Sequence, residues 1–452
     1  MTLAPAAPGG AGSAALRSAV IAALGGLLFG FDTAVISGTT EDLRRVFALG
    51  DAALGFTVAA ALIGTILGAL VAGPPADRWG RRNTLSVIAV LYFASAVGSA
   101  FPFGWGSFLF WRFLGGIGVG AASVACPLYI AEIAPARRRG RLVALAQFNI
   151  VAGILLAYLS NWLIGGMDLG GNAWRWMFGV EAVPAAAFFA LLFLTPESPR
   201  WLVARGRIDE ARAVLRLVGT DSGDVEEELA GIRRSLAQES AAAAEPLFAA
   251  RHRRPVLLAV AIAAFNQLSG INAIIYYTAD IFRMAGYDRT GALFQSVIIG
   301  LTNLVLTMAG LALIDHLGRR TLMLAGSIGY IVSLAATAYT FHSGVGGPLL
   351  LAGLIVFIAS HAFGQGAVIW VFISEIFPNG VRAKGAALGS TVHWVMAAAI
   401  SWTFPLIAAQ SGGHAFAFYA ACMVGQLVWV LTLMPETKGR PLEEIQQELT
   451  VR

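Results

Sequence analysis

Three ionisable residues, Asp32, Arg112 and Glu181, sit inside apolar runs long enough to cross a bilayer. An unpaired charge at mid-bilayer costs at least about 2.5 to 3.5 kcal/mol, so such groups should face an interior cavity and find partners. Taking the outer ends of their runs as Gly38, Ser107 and Trp174, all three lie roughly 8 to 11 Å deep at 1.5 Å per helical residue. They can therefore meet in one layer. Arg112 stays charged, because guanidinium effectively never deprotonates. A carboxylate held beside it remains ionised, whereas the same carboxylate in a dry cavity takes up a proton once the guanidinium withdraws. That alternation is a proton-coupling device; the competing reading is a static Asp32 to Arg112 pair. Glu181 suits either a second coupling group or a structural partner of Arg112.

A second group of side chains suits a neutral polyhydroxyl ligand, which needs amides that both donate and accept and aromatic faces for the apolar ring surface. Asn266, Gln267, Asn272, Tyr276 and Tyr277 surround Gly270, whose missing side chain could let a helix break and expose backbone. Gln147, Asn303, Gln365, Trp370, His393 and Trp394 lie in further apolar runs. The alternative for these amides, and most of all for Asn303, is hydrogen bonding between helices. Tyr276 and Tyr277 read better as gate or packing aromatics.

The elements that must position these residues follow from composition. Of 452 residues, 57% are hydrophobic and 13% charged, against about 45 to 50% and about 25% in soluble domains. Apolar runs begin near Leu16, Asp51, Thr84, Gly106, Leu142 and Ala173, then near Val256, Gly291, Thr321, Gly346, Ala383 and Gly412. Each can supply the roughly 20 residues a span requires. The chain therefore reads as an all-α membrane protein of twelve transmembrane helices, and soluble enzymes and nucleic-acid binders are excluded. The net charge of +5 is then a topology signal. Of the 31 Lys and Arg residues, 25 fall on the side of the termini, 5 on the other and Arg112 within a span. The positive-inside bias places both termini in the cytoplasm.

The expected organisation is a disordered tail over 1–15, a six-helix half over 16–195, a linker over 196–254, a second half over 255–434 and a cytoplasmic tail over 435–452. In the linker, Ala211, Val214, Leu215 and Val218 fall at helical spacing, as do Val225, Leu229, Ile232 and Leu236. Two short amphipathic cytoplasmic helices fit that pattern.

Internal repetition ties the halves together. Asp77 to Arg82 (DRWGRR) recurs as Asp315 to Arg320 (DHLGRR), Glu132 with Arg139 recurs as Glu375 with Arg382, and Pro196-Glu197 recurs as Pro435-Glu436, all about 240 residues later. Every one of these segments falls on the terminal side. Arg81, Arg82, Glu132, Arg139, Glu197, Arg319, Arg320, Glu375 and Arg382 are thus candidates for a cytoplasmic gate, pairing within and between halves when the inside is closed; otherwise they are topology anchors worth under about 1 kcal/mol each. Two parallel six-span halves commonly hold substrate at the midplane and rock around it.

These segments, with GGLLFGFDTAVISG at Gly25 to Gly38, PLYIAEIAP at Pro127 to Pro135, QLSGINAIIYY at Gln267 to Tyr277 and SEIFPN at Ser374 to Asn379, resemble the sugar porter family of the major facilitator superfamily over nearly the whole chain. The similarity extends to its D-xylose:proton symporters and its facilitative glucose transporters. It implies the major facilitator fold and a proton-coupled monosaccharide symporter of the cytoplasmic membrane, working by alternating access, with a facilitative uniporter or a membrane sugar sensor as alternatives. It assigns the proton to Asp32, because the symporters carry Asp there and the facilitative carriers Asn. It assigns sugar contact to Gln147, Gln267, Asn272, Asn303 and Trp370, with Asn266, His393 and Trp394 beside them. The chain departs from the xylose pattern at Asn266, Ile154, Ala367, Ala397 and His393, which leaves hexose and pentose both open. His393 can contact sugar, serve structurally or act as a second proton site. Moving one charge through 100 mV supplies roughly 2.3 kcal/mol, or about fifty-fold accumulation.

The expected partners are a monosaccharide, the proton and lipid, with the chain monomeric and without nucleic acid, metal or any cofactor beyond the coupling proton. The six histidines are scattered, and Cys126 and Cys422 both lie in apolar runs. Gly115 to Gly120 imitates a nucleotide loop, but no strand precedes it. Close helix packing accounts for that segment.

Overall fold

The computed structural model describes residues 11–449 apart from 136–138, 220–223, 243–244, 345–346, 379, 442–443 and 446–447; the side chains of 11–13, 139–140, 143, 238–242 and 315 also lie outside the description. Twelve helices are long and apolar enough to cross a membrane: Ala14–Gly38, Asp51–Val71, Arg81–Ala100, Trp105–Ile133, Ala144–Gly165 and Gly170–Leu192, then Ala250–Tyr276, Arg289–Ile314, Arg319–Ser343, Pro348–Ile376, Arg382–Ala408 and Gly412–Thr432. They are called spans one to twelve below. Helix already begins at Ala11, inside the stretch expected to be a tail, and residues 1–10 of that tail lie outside the described residues.

The repeat is visible as packing. Span one packs on five, two on four and three on six; in the second half seven packs on eleven, eight on ten and nine on twelve. Glycines permit the closest approaches. A Cβ on Gly116 would stand 1.9 Å from the Ala61 carbonyl and one on Gly120 2.1 Å from that of Thr65, so the glycine-rich run of span four is a helix contact.

Several spans are interrupted. Span seven breaks at Gly270, in left-handed conformation (φ 85°), between helices Arg253–Leu268 and Ile271–Tyr276. Span ten breaks at Gly364, between Pro348–Phe363 and Gln365–Ile376. In span six the helices Ala173–Gly179 and Ala182–Leu192 meet at Val180 and Glu181; Pro184 lacks the N–H that would bond the Val180 carbonyl. The stretch 196–254 carries helices Pro199–Ala204, Ile208–Leu217 and Val225–Ala242, whose apolar residues Leu202, Ala211, Leu215, Val225 and Leu229 form a small core of their own.

The cores show how the halves meet. At the end away from the termini, one apolar cluster runs through both halves, from Phe31, Phe108 and Trp174 to Tyr277, Phe404 and Tyr419. Toward the termini there are two clusters. One draws its residues from the first half and the linker, the other from the linker's end, the second half and the C-terminal segment. This conformation is closed at the far end and parted at the terminal end.

Candidate functional site

Arg112 of span four donates from Nη1 to Asp32 Oδ1 of span one at 2.6 Å and from Nη2 to the Asp32 carbonyl at 3.1 Å. Both side chains are sealed, at 3% and 2% exposure. The guanidinium also lies 5.3 Å from the centre of the Phe178 ring, under the aromatic group Phe108, Trp174 and Phe178. Glu181 is buried within electrostatic reach of both Asp32 and Arg112. Its Oε1 and the Arg112 Nε have no hydrogen-bond partner among the described residues. The three deep charges do share a layer, but only Asp32 and Arg112 are in contact.

The polar side chains of the second half form a connected chain. Gln267 Nε2 donates to Asn266 Oδ1 at 2.9 Å and approaches the His393 ring nitrogens at 3.3 and 3.4 Å. Asn266 Nδ2 reaches Gln365 Oε1 at 3.5 Å; Gln365 Nε2 donates to Gln426 Oε1 at 2.6 Å and Gln426 Nε2 to Ser327 at 2.8 Å. Gln267 Oε1 and Asn272 Nδ2 are buried without a partner among the described residues. In a membrane interior such open valences are costly and suit a ligand rich in hydroxyls. Around them, the His393 ring lies 5.2 Å from that of Trp370 and 4.8 Å from that of Trp394, and Trp394 lies 5.8 Å from Phe29 of the first half. Gln147 is half-buried and makes no side-chain hydrogen bond among the described residues. Asn303 accepts from Thr307 at 3.2 Å, a bond within its own helix rather than between helices. Gln426 escaped the sequence reading; its signal was a lone amide in the apolar span twelve.

A cavity of about 10 Å³ lies against the Asp32–Arg112 pair, lined by Asp32, Thr33, Arg112, Val58, Leu62, Tyr276 and Trp394. It has room for about one water. The acid that could carry a proton and an aromatic that could carry a sugar thus share one wall.

The charged repeat segments pair within each half. Arg81 pairs with Glu132 at 2.9 and 3.1 Å and with Asp77 at 3.0 Å; Arg319 pairs with Glu375 at 2.8 Å. Glu197 accepts from the backbone N–H groups of Arg81, Arg82 and Ser198 at 2.8 to 3.2 Å. Glu436 does the same with Arg319, Arg320, Thr437 and Lys438 at 2.9 to 3.0 Å. Each carboxylate seats on the N-terminus of span three or nine, where orphan donors and the helix dipole favour an anion. A Cβ on Gly80 (φ 95°) would stand 2.2 Å from Glu197, so glycine makes room for the oxygen. Arg382 bonds the Phe377 carbonyl at 3.3 Å, and the Arg139 side chain lies outside the described residues. Among the described residues these pairs all stay inside one half. Among the described residues no pairing between halves is formed at the terminal end, where the cores are separate. Contacts across the seam lie at the far end: Arg289 to Asp42 at 2.6 Å, Arg283 to Glu41, Tyr158 to the Ile275 carbonyl at 2.7 Å and Trp402 to the Ala52 carbonyl at 3.2 Å.

Residues 18–449 match the family described as "Sugar (and other) transporter". The chain belongs to this sugar transporter family. It is similar to the glucose transport protein of Synechocystis sp., at 38% identity over 94% of this chain and 95% of that one. It is likewise similar to the D-xylose-proton symporter of Escherichia coli, at 36% identity over 94% of each. The inward-open structure of the E. coli xylose transporter superposes with a TM-score of 0.86 at 35% identity, covering 95% of this chain and 98% of that one. As a member of this family the chain has the major facilitator fold and is a multi-pass membrane transporter, not an enzyme.

Proposed function

We propose that this transporter is a proton-coupled monosaccharide symporter working by alternating access. The observation that carries the reading is the cavity shared by the Asp32–Arg112 pair and Trp394. Sugar entering beside Trp394 and the Gln267 network competes for space and hydrogen bonds with the layer that holds Arg112 to Asp32. When that contact loosens in a dry site, Asp32 takes a proton; when it re-forms, the proton leaves. Arg112 is the counter-ion and Glu181 the nearby carboxylate that takes part of the guanidinium charge when Asp32 is neutral. Gln147, Asn266, Gln267, Asn272, Asn303, Trp370, His393 and Trp394 supply the sugar contacts. The repeat-segment charges, now held within each half, are the surfaces that meet when the terminal end closes.

The terminal end faces the cytoplasm in this reading, supported by the 25 to 5 distribution of Lys and Arg. The chain acts as a monomer, and the proton is its coupling ion. The similarity to a D-xylose-proton symporter supports the coupling. The test is uptake into proteoliposomes of labelled pentoses, hexoses and polyols, with and without an inward proton gradient. Accumulation of one sugar above equilibrium, abolished by a protonophore, is expected. Saturable equilibration indifferent to the gradient would make the protein a uniporter and Asp32 structural; no transport of any of them would point to a sensor.

A further inference from the structure

The far-end seam is ionic as well as apolar. Asp42, 2% exposed, accepts from Arg289 of span eight at 2.6 and 3.3 Å and from Arg45 at 2.6 Å, while Glu41 pairs with Arg283. The Arg289 and Arg283 contacts join the short helix Thr40–Val46, which follows span one, to the start of span eight and to the segment after span seven. Between them sits a carboxyl with no cation of its own. Asp280, in helix Thr278–Met284 beyond the end of span seven, is half-buried, but its Oδ2 is sealed and has no hydrogen-bond partner among the described residues. Facing it from the first half are Thr40, Glu41 and Arg44, and from its own segment Arg283 and Tyr277. Both arginines are already engaged, Arg44 by Asp51 at 2.6 Å and Arg283 by Glu41. From span eight, Arg289 is held by Asp42, and Asp288 caps its own helix at the Gly291 N–H. The turn Ile36–Gly38 offers only the Ser37 hydroxyl, which accepts from the Ala279 N–H at 3.3 Å.

We propose that Asp280 is a second proton-binding group, set in the far-end seal rather than on the sugar path, and that protonating it favours closure of that end. With the far end open, Asp280 meets water and ionises in the ordinary carboxylate range near 3.9. Closure strips that water and supplies no free cation, so the charged form resists it. Burial, only partly offset by the Thr40 hydroxyl and the two arginines, pushes the Asp280 carboxyl up to about 6 in the closed form. The closed form therefore binds the proton more tightly. The ratio of closed to open is highest in acid, falls as pH rises from about 4 to about 6 by up to about a hundred-fold, and is flat above that. In the orientation proposed above, acid outside the cell assists the step that carries a loaded site inward.

This inference rests on the alternating-access reading, but its test reads a distance instead of transport, so the two can fail separately. Spin labels go on Phe103→Cys and Thr290→Cys, both exposed far-end positions in different halves, with Cys126 and Cys422 replaced by alanine, in the full chain in lipid nanodiscs. Distance distributions by double electron–electron resonance between pH 4 and pH 8 should show the short-distance population shrinking as pH rises through the stated window. Asp280→Asn should hold that population high and flatten the profile, while Asp280→Glu should retain a pH dependence. Repeating the series with Asp32→Asn separates the seal from the proton carrier: the Asp280-dependent part should survive. A wild-type distribution unchanged from pH 4 to pH 7, or an Asp280→Asn profile as steep as wild type, overturns the proposal.

Discussion

Arg289 reaches across the seam to donate to Asp42 at 2.6 Å, joining two residues 247 positions apart at the end of the bundle away from the termini. Asp42 is sealed at 2% while Arg289 is 35% exposed, so screening keeps the bond at the lower end of the range of about 1.5 to 3 kcal/mol for hydrogen bonds to charged groups. Arg289→Gln should shift the conformational balance about ten-fold toward an open far end. The readout is the rate at which a membrane-impermeant thiol reagent labels Ser37→Cys, a position now buried in the seam. An unchanged rate would show that the bond does not hold the closed state.

Asp32→Asn removes the titratable oxygen while keeping the shape that fits Arg112. Uphill accumulation should be abolished, whereas exchange of labelled for unlabelled sugar across the same membrane continues. Full gradient-driven uptake by this variant would remove Asp32 as carrier and turn attention to Glu181.

Gly270 holds a left-handed conformation, and a Cβ there would stand 2.5 Å from the Tyr419 ring. Gly270→Ala should cost about 1 to 2 kcal/mol for the backbone alone, with the ring contact in addition. A drop of several degrees in thermal unfolding and a loss of uptake larger than the loss of folded protein are expected. Wild-type values for both would mean that the break in span seven does not depend on this residue.

At Glu436 and Glu197 the same seat on a helix N-terminus gives opposite outcomes. Burial raises the Glu197 carboxyl despite its three backbone N–H donors, whereas at Glu436 burial is outweighed by four donors, which hold its carboxyl below the ordinary value. The stability Glu436 contributes is present above about 4.3, the ordinary glutamate value, and is lost as pH falls through its lower folded value. Amides 319 to 322 should therefore exchange faster at pH 3.5 than at pH 6 once intrinsic rates are corrected, and Glu436→Gln should show that faster exchange at both. Equal protection at both pH values in the wild type would count against this account.

His393 stands 3.3 Å from Gln267 with the rings of Trp370 and Trp394 on either side. If it contacts sugar, His393→Gln should alter KM by up to about ten-fold, the worth of one hydrogen bond, and leave the proton gradient able to drive accumulation. Loss of accumulation at unchanged KM would instead make His393 a coupling group.

Much of this molecule was legible from local pattern. The starts of the twelve spans, the break at Gly270 and the parallel repeat follow from apolar run length, a glycine among amides and duplicated segments. Each depends on residues near one another in the chain. The depth of Asp32, Arg112 and Glu181 was equally readable, since 1.5 Å per residue converts sequence position into height. Depth alone left the pairing undecided: Arg112 contacts Asp32, while the Oε1 of Glu181, at the break beside Pro184, has no hydrogen-bond partner among the described residues. Nor could spacing foresee the chain from Asn266 to Gln365, Gln426 and Ser327, whose members come from four different spans.

The repeat charges mark the limit most clearly. Arg81, Glu132, Arg319 and Glu375 are chemically able to pair within a half or between halves, and nothing in their order chooses. The choice falls to the packing, because a continuous apolar core closes the far end and leaves separate cores, with separate ion pairs, toward the termini. Asp42, Arg289 and Asp280 gain their roles from that closure too. Span number and membrane depth are properties of short stretches, set by apolar length and helical rise; which charges meet is a property of how two rigid halves are tilted, and one sequence supports more than one tilt.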